Sequence, residues 1–111
     1  MPVSRGDVRW GPAPHKASQA YRPWLVVSTD AHPFADQECI AVALTTVAHD
    51  EGISVRCDDW DEGGAETKSY ASPWYVTTVK IRTFDRHQGR LVPAFVNRVV
   101  EALRGYVPVW A

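Results

Sequence analysis

The chain is poor in the features that mark several large protein classes. It has two cysteines and one methionine among 111 residues, too few for a disulfide-stapled scaffold. Cys39 and Cys57 fall in apolar or alternating runs, where a free cysteine acts as a small core residue. No apolar run approaches the ~18 residues of a membrane span. Met1-Pro2-Val3-Ser4-Arg5 lacks the apolar segment of a signal peptide, so a cytoplasmic location is expected. Gly63-Gly64 stands without the following Lys-Ser/Thr of a phosphate-binding loop, and no nucleotide cofactor is expected. Ser28, Ser69 and Ser72 lack the glycine-flanked turn of an activated hydrolase nucleophile. His15, His32, His49 and His87 are scattered over separate loops at no ligand spacing, so no metal is expected either.

What remains is a folded chain of ordinary charge, 45% apolar, of a length suited to a single domain over residues 1–111. Its near-neutral total hides segregation. Up to Trp24, Arg5, Arg9, Lys16 and Arg22 stand against Asp7, a balance of +3; residues 25–67 carry −9, with Arg56 alone opposing ten acids. From Lys68 onward the balance is +5, and nine of the twelve basic residues are arginine, the better residue for phosphate contact. This pattern permits an anionic ligand. It equally describes a solvated surface with an acidic loop.

Asp7-Val8-Arg9-Trp10 alternates as a half-buried strand, and Gly11-Pro12-Ala13-Pro14 stops it. A loop follows to Tyr21, long enough to be a functional lid. Trp24 to Thr29 and Cys39 to Thr46 read as strands buried on both faces, and Ile53 to Cys57 alternates again. Asp58 to Thr67 is acidic, without apolar period, and reads as a surface loop. Tyr70 to Ile81 is rich in aromatic and β-branched residues, with Pro73 marking an edge or a bulge. In Pro93–Tyr106, Phe95, Val96, Val99, Val100 and Leu103 form one helical face, with Pro93 as a start and Gly105 as a stop. Five or six strands and one late helix predict a mainly β, strongly bent antiparallel barrel.

Two short runs carry the chemistry. Tyr21-Arg22-Pro23-Trp24-Leu25-Val26-Val27-Ser28 puts an arginine at the mouth of a buried strand, and Ala43-Leu44-Thr45-Thr46 ends the next on two hydroxyls. Arginine offers forked donors to phosphate oxygens and a hydroxyl adds a hydrogen bond, a pairing that suits a phosphodiester. Trp74 and Tyr75 are adjacent on a strand, so one of them faces outward, to stack an RNA base or to sit in a dimer seam. Trp10, Trp24 and Phe95 read as core or interface.

These runs, with Arg5-Gly6-Asp7-Val8 before the first strand, Gly63-Gly64 to Ser69, and Asp85-Arg86 and Arg90-Leu91 before the helix, resemble the MazF/PemK family of toxins from type II toxin–antitoxin systems. The resemblance implies an SH3-like barrel of the MazF/PemK/CcdB kind, a homodimer, and an endoribonuclease. Such an enzyme cuts single-stranded RNA without metal and is inhibited by a cognate antitoxin. It sets the catalytic pair at Arg22 and Thr45, with attack by the ribose 2′-OH leaving a 2′,3′-cyclic phosphate and a 5′-hydroxyl. It also implies RNA contacts at Ser18, Gln19, Thr46, Trp74, Tyr75, Thr77, Thr78 and, in a shifted match of the fifth strand, Arg82. The family's loop acid is absent from His15-Lys16-Ala17-Ser18-Gln19, and His15 is expected to serve as general acid or base. Two other functions fit the same fold. One is a silent barrel that binds RNA or an antitoxin-like protein; the other is a CcdB-like gyrase poison.

Overall fold

Polar–apolar alternation carries the chain into seven strands, and one amphipathic run closes it as a helix. In the computed structural model, which describes residues 3–14 and 20–110, the strands are β1 (Asp7–Pro12), β2 (Tyr21–Val26), β3 (Glu38–Thr45), β4 (Ile53–Val55), β5 (Trp60–Gly63), β6 (Ser69–Lys80) and β7 (His87–Leu91). Helix α1 spans Pro93–Tyr106. The strands form one sheet in the order β4-β6-β3-β2-β1-β7-β5, every neighbouring pair antiparallel. Among the described residues no helix is long and apolar enough to cross a membrane.

Two apolar clusters form on opposite faces of the sheet. On one face Val8, Leu25, Val42, Leu44 and Leu91 meet Phe95, Val96 and Val99 of α1. On the other, Trp24, Val26, Cys39, Ala41, Ala43 and Val79 are covered in part by Tyr75 and Phe84. Each large side chain fully buried in this way stabilises the fold by about 1.5–3 kcal/mol. Because β2 and β3 supply both clusters, they are buried on both faces, as their continuous apolar sequence requires.

Several boundaries differ from the sequence expectation. Among the described residues the sheet has seven strands, not five or six. The acidic segment expected as loop holds a single 3₁₀ turn at Cys57–Asp59 and the edge strand β5. Trp60 is half-buried against the first cluster, and β5 pairs with β7, where Gly63 lies opposite Gly89. A Cβ at Gly63, whose φ is +71°, would lie 2.1 Å from the Gln88 carbonyl, so only glycine permits this approach. Cys57 is exposed rather than part of the core, whereas Cys39 is buried. Burial, reinforced by the nearby Glu38 carboxylate, pushes the Cys39 thiol up to about 11.

Pro73 marks a bulge. In β6, Val76 pairs with Val42 while Ser72 pairs with the next β3 residue, Ala43, leaving residues 73–75 outside the ladder. Proline has no N–H to donate there. The bulge sends Trp74 and Tyr75 to opposite sides of the sheet.

Candidate active site

Pro23 also shapes the opening of the sheet. The β2–β3 ladder runs from Trp24↔Ala43 to Val26↔Ala41, whereas Tyr21, Arg22 and Pro23 pair with β1 alone. Thr45, at the end of β3, remains joined to β6 through Tyr70. Arg22 and Thr45 each lie two residues beyond the last β2–β3 pair, Trp24↔Ala43, where the two strands part.

Arg22 is half-buried, with its guanidinium carbon 5.1 Å from the centre of the Tyr75 ring. Tyr75 stands edge-on to the buried Trp24, ring centres 5.4 Å apart, and the Trp24 indole N–H donates to the Pro12 carbonyl at 3.1 Å. Indole, phenol and guanidinium form a ladder that fixes the cation without a carboxylate. A cation–π contact of this kind is worth about 0.5–2 kcal/mol. No acid lies within ion-pair distance of Arg22 among the described residues. Among the described residues its N–H donors therefore face no competing anion.

The Thr45 hydroxyl accepts the Val47 N–H at 3.1 Å, which turns the chain out of β3 and leaves the O–H proton to donate elsewhere. Thr45 and the exposed Thr46 line a cavity of about 610 Å³ with Pro23, Trp10, Ser69 and Arg86, and residues 64–67 form part of its wall. Arg86 sits over the Trp10 ring at 4.7 Å. Trp10 is pinned by its indole N–H to Gln88 Oε1 at 2.7 Å, and the Gln88 amide donates to the Gly64 carbonyl at 3.0 Å. Glu66 and His87 are titratable groups on the same cavity, and His87 meets Glu62 at 3.1 Å.

The expected site residues thus separate into groups. Tyr75 and Thr77 share the Arg22 face of the sheet, while Thr78, one residue on, takes the opposite face opposite Ile40. Thr45 and Thr46 belong to the cavity just described. Trp74 does not join them. It is edge-on to His49 at 5.6 Å and to Tyr106 of α1 at 6.5 Å, a cluster at the far end of the helix. Arg82 lines a second cavity, with Arg9. His15, Ser18 and Gln19 lie outside the described residues. Trp10, Gln88 and Arg86 had no local signal as site residues. The juxtaposition arises because the Trp10 N–H donates to the Arg86 carbonyl at 2.9 Å, and the Asp85 N–H to the Trp10 carbonyl at 2.7 Å. No group of three or more His, Cys, Asp or Glu side chains placed to hold a metal occurs among the described residues.

The Arg-Gly-Asp-Val run proves to be scaffold. Asp7 is buried, accepting Arg90 Nε at 2.9 Å and the Ser4 N–H at 2.9 Å. Bonded to that carboxylate, the Arg90 guanidinium holds its proton above its ordinary value. Arg5 donates to the Val27 carbonyl at 3.1 Å and to Asn97 of α1 at 3.0 Å.

The chain is similar in fold to an endoribonuclease from a mycobacterial species, at 22% identity and TM-score 0.76, covering 100% of this chain and 97% of that one. It is also similar to an endoribonuclease in complex with its cognate antitoxin from a mycobacterial species, at 22% identity and TM-score 0.72, over 98% and 97% of the two chains. A MazE–MazF structure from Deinococcus radiodurans matches at 11% identity and TM-score 0.73, over 99% of each. No curated protein sequence matches. A family model described as PemK-like, MazF-like toxin of type II toxin–antitoxin system matches residues 4–107. The chain therefore belongs to the PemK-like, MazF-like family of toxins of type II toxin–antitoxin systems.

Proposed function

We propose that this toxin is a metal-independent endoribonuclease that cuts single-stranded RNA at the opening between β2 and β3. The observation that carries the reading is Arg22, held on the Tyr75 ring without an acid partner among the described residues, at the end of β2 that parts from β3. Its forked donors suit the non-bridging oxygens of a phosphodiester, where negative charge builds in the transition state. The 2′-oxygen attacks phosphorus, the bond to the 5′-oxygen breaks, and a 2′,3′-cyclic phosphate and a 5′-hydroxyl result. Thr45 orients the attacking group or the phosphate through its O–H. One proton must leave the 2′-oxygen and another must reach the 5′-oxygen. Arg22 stays protonated and cannot shuttle them. Those transfers fall to titratable groups: Glu66 and His87 on the cavity that Thr45 lines, and His15, which the sequence ahead of β2 offers.

A homodimer inhibited by a cognate antitoxin belongs to the same proposal, supported by the family and by the antitoxin complexes of its structural relatives. The test is incubation of the purified protein with a long single-stranded RNA in EDTA, with the cut ends mapped beside Arg22→Ala and Thr45→Ala. Discrete cuts with 5′-hydroxyl ends, lost in both variants, are expected. Intact RNA in the presence of folded, RNA-binding protein would assign the chain to a silent barrel instead, and inhibited supercoiling would assign it to gyrase.

A further inference from the structure

Arg9 Nε has no hydrogen-bond partner among the described residues. It is shut off from solvent, and Arg9 joins no ion pair among the described residues. A desolvated donor of this kind is costly unless a ligand completes it. It faces space that could hold one: a cavity of about 630 Å³ walled by Arg9, Ile81 and Phe84, with Arg82 at its exposed rim.

The register ties this cavity to the proposed active site. Arg9 pairs with Trp24, and Arg22 lies two residues before Trp24, so both arginines project from one face of the sheet as diagonal neighbours. Such neighbours lie about 7–8 Å apart, a distance that one or two nucleotides of an extended strand can bridge. Gly11 lies opposite Arg22, and a Cβ there would meet the Phe84 ring at 3.0 Å, so the absent side chain leaves room for that ring beside both arginines.

Of the other charged groups on this cavity, Lys80 is engaged by Glu38 at 2.6 Å, and Asp36 and Asp85 are exposed, as is Arg82. The exposed rim thus carries two carboxylates against Arg82, while Arg9, half-buried in the wall, makes no ion pair among the described residues. A diester phosphate, with one negative charge, meets less repulsion from the two rim aspartates than a run of carboxylates would.

We infer that Arg9, with Arg82, binds a backbone phosphate of the substrate RNA one or two nucleotides from the phosphate held at Arg22. Arg9 is a positioning residue. This rests on the ribonuclease reading and adds to it a second contact that registers the strand.

The test compares wild type with Arg9→Gln, Arg9→Lys and Arg82→Gln on a substrate carrying one mapped cut site, each variant's fold being checked by circular dichroism. Arg9→Gln is expected to raise KM roughly tenfold with kcat within about twofold, the split of a lost ground-state contact. Binding of a 2′-O-methyl strand should lose about 0.7 from its log–log salt slope, the value of one phosphate contact on single-stranded nucleic acid. Arg9→Lys should keep most of that slope. A methylphosphonate at one linkage beside the cut should weaken wild-type binding and leave Arg9→Gln unaffected. If Arg9→Gln fails to fold, Arg82→Gln, altered only at the rim, carries the same readouts with a smaller loss. Unchanged KM and slope in every folded variant, with cleavage still dependent on Arg22, would overturn the second site and leave the ribonuclease reading intact. A polyglutamate competitor displaced from wild type and ignored by Arg9→Gln would overturn the phosphate assignment in favour of a carboxylate ligand. If wild type binds RNA without cutting, the ribonuclease reading fails, and the salt slope alone decides for or against Arg9. If wild type binds no RNA at all, both fail.

Discussion

The two ends of β1 place arginine in opposite surroundings. At its start, Arg90 bonds the buried Asp7, and nearby Arg98 bonds Asp59, which also accepts the Arg56 N–H at 2.8 Å. Further along the strand, Arg22 rests on Tyr75, Arg86 rests on Trp10, and Arg9, at mid-strand, joins no ion pair and leaves its Nε without a hydrogen-bond partner among the described residues. A carboxylate satisfies a guanidinium and locks two elements together; here β1 is joined to β7, and the turn before β5 to α1. An aromatic ring fixes the cation's position while leaving its N–H donors open. The first arrangement builds the scaffold, and the second leaves cations ready for an anion.

The scaffold end should break hardest. Asp7→Ala removes two hydrogen bonds and leaves Arg90 without its anion, so a loss of about 2–4 kcal/mol is expected in urea unfolding. Arg98→Ala, whose side chain is 54% exposed, should cost about 1 kcal/mol. Comparable losses from Arg22→Ala and Asp7→Ala would erase the distinction between the two ends.

At the open end the expected effects are on rate. Tyr75→Leu keeps apolar cover for Trp24 but removes the ring under Arg22, and should lower kcat/KM by about 3- to 30-fold, the range of one cation–π contact. An unchanged rate would mean that the ring does not position the guanidinium.

The smallest effect concerns the thiols. At pH 8 a thiol reagent should modify Cys57 and spare Cys39 in the native protein, and modify both after denaturation. Because burial raises the folded-state pKa of Cys39 to about 11, its protonated form contributes stability fully below the ordinary cysteine value of about 8.5. That stability declines as pH rises from there through 11. Cys39→Ala should remove this alkaline decline.

Much of this was legible along the chain. Strands β1 to β4, β6 and the helix follow from period and β-branching; Pro73 pointed to an edge or a bulge, and it lies in the bulge of a strand paired on both sides. Strands β5 and β7 were not legible. Asp61 and Glu62 give β5 no apolar alternation, and its pairing with β7 depends on glycine backbones meeting across Gly63 and Gly89. Arg22 and Thr45 stood out because each ends a buried strand. The grouping of Thr45 with Trp10 and Arg86, and of Arg22 with Arg9, is long-range; it depends on strand register, which no local pattern displays.

The central claim is that an acid-free Arg22 stabilises the phosphate being cleaved. Single-turnover cleavage of one mapped site in EDTA, by wild type and Arg22→Ala at matched folding, tests it most directly. The account predicts a loss of about a hundredfold or more with 2′,3′-cyclic phosphate ends in the wild-type product. Cleavage by Arg22→Ala at the wild-type rate, with the same ends, would contradict it.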